Sequence, residues 1–414
     1  MSPHPESSRL DYLDATRAFA LVLGIMFHAS LSFMPIFMGG AVQDISTSPL
    51  VTVFVAVSHS FRMEAFFLLA GFFAHVTLHR KGAAAFVRTR VIRIVVPFVV
   101  GWFVLRPLIV SGWIMGAASL RGDVDFWAGI RAGFQSLASL PAGMFTGTHL
   151  WFLYYLAMVT GLTLAIRGLM TWTGSGHGVM VRRADTLVAW LANSRFCLPV
   201  LVLPTAVALW FMSFWGMDTP DKAMRPQIPV LLVYGAFFIL GWMLSRQREL
   251  LPRFARLTPQ RWILAGIGIG AILLLGQIER DFSHPHRTAA HVAYAVSYAL
   301  TMWSLVFLTL GVFKKTWARP NAFVRYVADS SYWLYLVHLP IVVWLLVAVA
   351  EIPLHWSLKL AFVSMATIAG SLLTYDLFVR STVIGQVLNG RRRSRALTAF
   401  RSRPQSRATA LDGA

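Results

Sequence analysis

The sequence predicts an all-α, polytopic membrane protein of about ten transmembrane helices with both termini in the cytoplasm. Three observations carry that prediction. Of 414 residues, 57% are hydrophobic and 13% charged, against about 25% charged in soluble domains, and mean hydropathy is +0.63. The apolar residues gather into runs close to or above the roughly 20 that a helix needs to cross a bilayer. Finally, Lys and Arg fall on alternate connections between those runs.

The first run, 13–36 (LDATRAFALVLGIMFHASLSFMPI), is longer than a signal-peptide core, and no small-residue cleavage site follows it. It is therefore read as a retained span. The remaining candidates are 50–78, 91–112, 150–170, 197–215, 228–245, 261–278, 291–313, 331–350 and 357–379. With the N-terminus inside, 27 Lys and Arg lie on the cytoplasmic side, from Arg9 to the tail beginning at Arg380. Eight lie opposite: Arg106, Arg121, Arg131, Lys222, Arg225, Arg280, Arg287 and Lys359. Arg17 and Arg62 stay within spans. This asymmetry satisfies the positive-inside rule.

Residues 1–380 are thus expected to form one ten-helix membrane domain. Residues 381–414, with GRRRSRALTAFRSRPQSR, are expected to be a basic, disordered cytoplasmic tail drawn to anionic lipid. The formal net charge of +20 then reflects topology and lipid. Nucleic acid is not expected as a partner, since no recognisable binding fold accompanies the charge. The single Cys197 rules out an internal disulfide.

Three segments on the opposite side carry polar chemistry. The longest, roughly 113–149, holds Trp113, Asp123, Asp125, Trp127 and Arg131, and its middle, Phe126–Leu140, has the helical apolar spacing of an interfacial helix. WGMDTPDKAMRPQ offers Trp215, Asp218 and Asp221; ERDFSHPHRTAAH offers Glu279, Asp281, His284, His286 and His291. Aromatic and carboxylate side chains together suit sugars, and they equally suit ordinary solvated loops with interfacial tryptophans. The His-Pro-His cluster lacks a nearby Cys or a helical i, i+4 His pair, so no metal site is expected.

The residues that bear chemistry lie inside or at the ends of spans. Span one carries Asp14, Arg17 and His28, and Arg17 and His28 are eleven residues apart, on one side of the helix and roughly 16 Å apart in depth. An ionisable group inside a spanning helix costs about 2.5–3.5 kcal/mol and reads as functional by default. Span two, SHSFRMEAFFLLAGFFA, holds Arg62 and Glu64. Glu64 pairs with Arg62, Arg17 or His28, either fixing helix register or orienting the histidine; the residue types leave these open. RTRVIRIVVP sets Arg88, Arg90 and Arg93 at the cytoplasmic mouth of span three, as topology charge or as phosphate ligands. THLWFLYYL brings His149 and Trp151 to the start of span four, and DSSYWLYLVHLP brings Ser331, Tyr335 and His338 to span nine. A transporter with a His28–Glu64–Arg17 proton relay is the competing class; the chain shows no internal repeat of the kind common in transporters.

These phrases resemble those of the acyltransferase-3 membrane family. RLDYLDATRAFALVLGIMFHAS matches its first-span pattern of Asp, then Arg, then ten residues, then His, at Asp14, Arg17 and His28. MEAFFLLAGFF is similar to its "FF–hydrophobic–Ser-Gly-Phe" signature, with Ala70 in place of the common Ser, so no role passes to that hydroxyl. RTRVIRIVVP, GTHLWFLYYL and SSYWLYLVH are similar to three further family phrases. The wording of spans one and two most resembles the subgroup that succinylates osmoregulated periplasmic glucans.

The resemblance implies an enzyme of the bacterial inner membrane with no permanently bound cofactor. Its co-substrate would be cytoplasmic acyl-CoA, succinyl-CoA or acetyl-CoA, and its acceptor a hydroxyl of a periplasmic glucan. The alternative acceptors are another surface polysaccharide or a lipid-linked sugar. Arg88, Arg90, Arg93 and Arg17 would then meet the CoA phosphates, and His28 would be general base. Glu64 would orient His28, and Arg62 would receive the free carboxylate of a succinyl group. Direct transfer and an acyl-histidine intermediate both remain open.

Overall fold

The computed structural model describes residues 10–38, 42–119, 122–138, 147–173, 177–213, 216–222, 224–317, 319 and 321–396. Every regular element among them is helical, as apolar runs with no water to satisfy their backbone require. Capping residues mark several starts. Ser48 caps α2 (Pro49–His59), Asp125 caps α6 (Phe126–Gln135), and Thr258 caps α12 (Pro259–Arg280). Asn321 caps α14 (Ala322–Val349). In α2 and α12 a proline occupies the first helical position, where no amide hydrogen is needed.

Among the described residues, nine helical stretches are long and apolar enough to cross a membrane. The first is α1 (Asp11–Ser30) with its 3₁₀ extension to Phe33. Next come α2 with α3 (Arg62–Lys81), and α4 (Ala83–Arg90) with a π-helical turn (Val91–Val95) and α5 (Val96–Ser119). α7 (Trp151–Trp172), α10 (Ile228–Arg246), α12, α13 (Arg287–Thr316) and α14 follow. The ninth is α15 (Trp356–Thr374) with a second π-helical turn, Tyr375–Val379.

The predicted span at 197–215 differs from expectation. α9 (Cys197–Trp210) has 14 residues, about 21 Å of helix, and is bent by 115° from α8 (His177–Asn193). The pair makes a broken tenth span at most. Short α11 (Leu251–Phe254) and α16 (Val383–Asn389) complete the chain. Of the expected interfacial segment, 126–135 is the helix α6 laid against α5, and residues 139 and 140 lie outside the described residues.

Two contacts fix the shape of the bundle around the site. α3 and α10 touch backbone to backbone: a Cβ on Gly71 would meet the Phe238 carbonyl, and a Cβ on Gly241 would meet that of Leu68. Small residues at such crossings let bare helix surfaces meet where lipid gives no hydrophobic drive for association. Lys359, counted in the sequence as an exterior charge, is buried instead. Its Nζ lies 2.8 and 2.9 Å from the two carboxylate oxygens of Asp44, and both side chains are 1% exposed. The pair ties the segment between α1 and α2 to the start of α15.

The N-terminal end of α1 and the C-terminal segment share one face of the bundle, since Asp11 pairs with Arg325 and Asp329 with Arg393, both at the start of α14. Residues 383–396 of the expected tail pack onto that face, with α16 helical and Ala396 N–H donating to Asp376. Residues 397–414 lie outside the described residues.

Candidate active site

A cavity of about 530 Å³ runs along α1 through the bundle, from Leu10, Asp14 and Arg391 at the terminal face to His28, His59 and Thr219. Two chemically different regions line it. Toward the terminal face stand Arg17, Arg90 and Arg93, with Arg391 from the C-terminal segment; further in stand His28, His59, Arg62, His149 and His338.

The inner region is built from ends and breaks of helices. His28 sits in the last turn of α1, about 25 Å along the helix from Asp11. Its ring meets Phe27 at 5.3 Å and His338 at 5.2 Å between centroids, and among the described residues it makes no hydrogen bond. His338 lies one helical turn after Leu334 and three residues after Tyr335. Its Nδ1 donates to both carbonyls, at 3.1 and 2.7 Å. Two acceptors on Nδ1 require the proton there, so Nε2 of the neutral ring keeps its lone pair.

His149 stands beside it, 5.2 Å from His338 by centroid. Its Nε2 donates to the Leu336 carbonyl at 2.9 Å, and its Nδ1 is buried without a partner. Two features hold His149 in place. The Tyr335 hydroxyl donates to its carbonyl at 2.8 Å. The preceding Thr148 takes φ +48°, a conformation that L residues rarely adopt and that clusters at functional sites. Thr148 N–H donates to the Asp221 carbonyl at 3.1 Å, and burial raises the Asp221 carboxyl above its ordinary range. Trp151 and Tyr335 line the wall, and Trp151 stacks on Tyr234 at 5.6 Å.

Arg62 and His59 flank the break between α2 and α3, whose facing ends lie within one span. Discontinuous helices inside membranes recurrently form polar sites. Arg62 is 5% exposed, its guanidinium carbon lies 4.2 Å from the Phe27 ring centroid, and its Nη1 has no hydrogen-bond partner. His59 meets the Tyr298 hydroxyl at 2.9 Å and the Thr219 hydroxyl at 3.0 Å. His59 carries no signal in the sequence: no Gly or Pro marks the break, so it reads as one more residue of a continuous span.

Two side chains lie elsewhere than expected. Glu64 was expected beside His28 or in an ion pair. It is fully buried, does not line the cavity, and neither of its carboxylate oxygens makes a hydrogen bond. It sits in the first turn of α3, where the amides of Met63 and Glu64 and the Arg62 guanidinium are its nearest compensating groups, an arrangement the helix dipole favours. Arg88 was expected with Arg90 and Arg93. It is exposed on α4 and absent from the cavity wall, because the helical phase there turns only Arg90 and, within the π-helical turn, Arg93 inward.

Arg17 does line the outer region, donating to the Ala328 carbonyl at 2.7 Å and lying 3.4 Å from Asp14, another lining residue. Ser331 also lines it and donates to Ala328 at 2.8 Å. The Tyr332 hydroxyl, at the end of the Ser-Ser-Tyr run, donates to the Arg93 carbonyl and ties the π-helical turn to α14.

Elsewhere, the three polar segments contribute little to the cavity. Thr219 of the second reaches it, and Trp215 lies outside the described residues. In the third, His291 pairs with Glu279 at 3.1 Å and the His284 and His286 rings sit 5.8 Å apart. Among the described residues no three His, Cys, Asp or Glu side chains gather as a metal site.

A cavity with arginines at one end and histidines with one buried arginine at the other can hold an anionic, extended molecule. It would carry the reactive end of that molecule to a group able to take up a proton. Comparison with known proteins agrees in kind. The acyltransferase-3 family model, described as "Acyltransferase domain", matches residues 10–376. Glucans biosynthesis protein C of Salmonella heidelberg (strain SL476) is 24% identical over 342 residues, 80% of this chain and 81% of that protein. The protein of the same name from Salmonella paratyphi B (strain ATCC BAA-1250 / SPB7) is 23% identical over 331 residues, with the same coverage. No solved structure matches the chain.

Proposed function

This chain belongs to the acyltransferase-3 family, and from that premise we propose that it transfers a succinyl group from cytoplasmic acyl-CoA to a hydroxyl of a periplasmic glucan, in a bacterial inner membrane. The membrane acyltransferase is what family membership establishes; donor, acyl group and acceptor are our reading. The observation that carries it is that one cavity is lined by arginines toward the terminal face and by His28 deeper in. Relatives named for glucan biosynthesis favour the acceptor.

In this reading the CoA phosphates rest on Arg90 and Arg93, with the terminal face in the cytoplasm as the charge distribution expects. The pantetheine arm follows α1 inward and brings the thioester beside His28. His28 takes the proton of the acceptor hydroxyl as its oxygen attacks the thioester carbonyl. The tetrahedral intermediate collapses, the carbon–sulfur bond breaks, and the CoA thiolate recovers the proton from His28. His338, whose Nδ1 is fixed by two backbone carbonyls, packs its ring beside His28 at 5.2 Å between centroids, the side on which Glu64 was expected. Arg62, buried with Nη1 unpartnered, favours an acyl group that ends in a carboxylate over acetyl.

The test is acyl-CoA-dependent acylation of glucan by the purified protein. His28→Gln is expected to lower kcat by about 10²–10⁴-fold, the usual contribution of a general base, with an unchanged thermal transition. Near-normal transfer by that variant would end the assignment.

A further inference from the structure

We propose that the C-terminal segment 383–396 is part of the donor site, and that Arg391 on it binds a phosphate of the nucleotide end of the donor. The inference rests on the reading above that the terminal end of the cavity receives acyl-CoA, and it adds a component that lies beyond the family-matched region, which ends at residue 376.

The segment is folded back as a hook. After the π-helical turn Tyr375–Val379, α16 turns at Gly390, whose φ of +77° is a left-handed helix end that favours glycine. A Cβ at Gly390 would also strike the Arg93 guanidinium, so the hook and the π-helical turn bearing Arg93 are in direct contact. Backbone and side-chain bonds hold the returning segment. Arg393 N–H donates to the Arg380 carbonyl at 2.9 Å, Arg380 Nε donates to the Ser394 carbonyl at 2.7 Å, and Ala396 N–H donates to Asp376 at 2.8 Å. The Arg393 guanidinium pairs with Asp329 at the start of α14. Leu388, Asn389 and Arg391 thereby become part of the cavity wall.

Charge balance at this mouth points to an anion. The carboxylates that line it are Asp14 and Asp329; Asp14 lies by Arg17, and Asp329 is taken by Arg393. Arg90, Arg93 and Arg391 face the same space with no carboxylate of their own among the described residues, and Arg90 Nε is buried without a hydrogen-bond partner. Three arginines converging without counter-charge, two from one helical turn and one from the hook, suit a ligand carrying several phosphates.

The test uses the full-length protein and compares wild type, Arg391→Gln and Arg391→Lys. Donor KM is expected to rise about tenfold in Arg391→Gln, the loss of one charge-assisted contact, while kcat and acceptor KM hold and Arg391→Lys recovers most of the change. Binding of adenosine 3′,5′-bisphosphate, measured directly, is expected to weaken by the same factor in Arg391→Gln. Unchanged donor KM and unchanged bisphosphate binding in Arg391→Gln would overturn the inference while leaving the transfer reaction intact. A wild type that transfers acyl groups without binding the bisphosphate would also overturn it. If instead wild type binds the bisphosphate through Arg391 but transfers nothing, the hook stands and the reaction proposed above falls.

Discussion

Replacing Arg62 by Gln tests the most exposed consequence of the proposed chemistry, because it separates acyl groups that the bundle otherwise treats alike. Arg62 is 5% exposed, lies 4.2 Å from the Phe27 ring centroid, and leaves Nη1 unpartnered in the cavity beside the histidines. A hydrogen bond to a charged group is worth about 1.5–3 kcal/mol, or about 10- to 150-fold in a binding or rate ratio. Arg62→Gln is therefore expected to lower kcat/KM for succinyl-CoA by about that factor and to leave kcat/KM for acetyl-CoA nearly unchanged. The same purified protein, assayed with the two donors in competition, reads the ratio directly. Stability supplies a second check. Removing the buried cation relieves its desolvation cost and also takes from Glu64 its compensating guanidinium, opposing effects that are expected to leave Tm without substrate close to that of wild type. Parallel loss with both donors, or a fall in Tm large enough to explain the loss, would refute a selective carboxylate contact.

Three further outcomes follow from the packing. Glu64→Gln is expected to keep kcat and both KM values close to wild type, since Glu64 neither lines the cavity nor bonds to His28; a loss as deep as that of His28→Gln would restore it to the mechanism. Gly71→Ala is expected to destabilise by about 1–3 kcal/mol, the usual cost of overpacking, because its Cβ would stand 2.7 Å from the Phe238 carbonyl carbon; thermal unfolding reads it, and an unchanged Tm would show that α3 and α10 part freely. Lys359→Met strands Asp44 in a site where both groups are 1% exposed and is expected to cost about 3–5 kcal/mol. Adding Asp44→Asn should recover most of that loss, and strict additivity of the two changes would deny the pairing.

Much of the fold was legible because a bilayer imposes simple rules. Apolar runs of spanning length must be helices, and most of the predicted spans match helices within a few residues. The run at 197–215 misled for a physical reason. Hydropathy sums side chains along a window and is blind to direction, so it could not see the chain bend by 115° before Cys197. The same blindness hid the break between α2 and α3, and with it His59. Lys359 misled in the opposite way: counting charges by loop cannot tell a solvated lysine from one neutralised by Asp44.

For the site, residue type and spacing in the sequence determined that span one carries Arg17 and His28 at different depths on one side, and that Tyr335 and His338 belong to a polar interior, while His149 and Trp151 read only as the external start of span four. An ionisable side chain in hydrocarbon is costly enough that its mere presence in such a helix is informative. Which groups meet was decided by tertiary structure alone. His338 rather than Glu64 came to stand beside His28, Arg88 turned outward while Arg90 and Arg93 turned in, and a basic tail folded back to bring Arg391 to the cavity. Those choices depend on helix phase, on two π-helical turns and on crossings between elements far apart in the chain, and no local pattern records them.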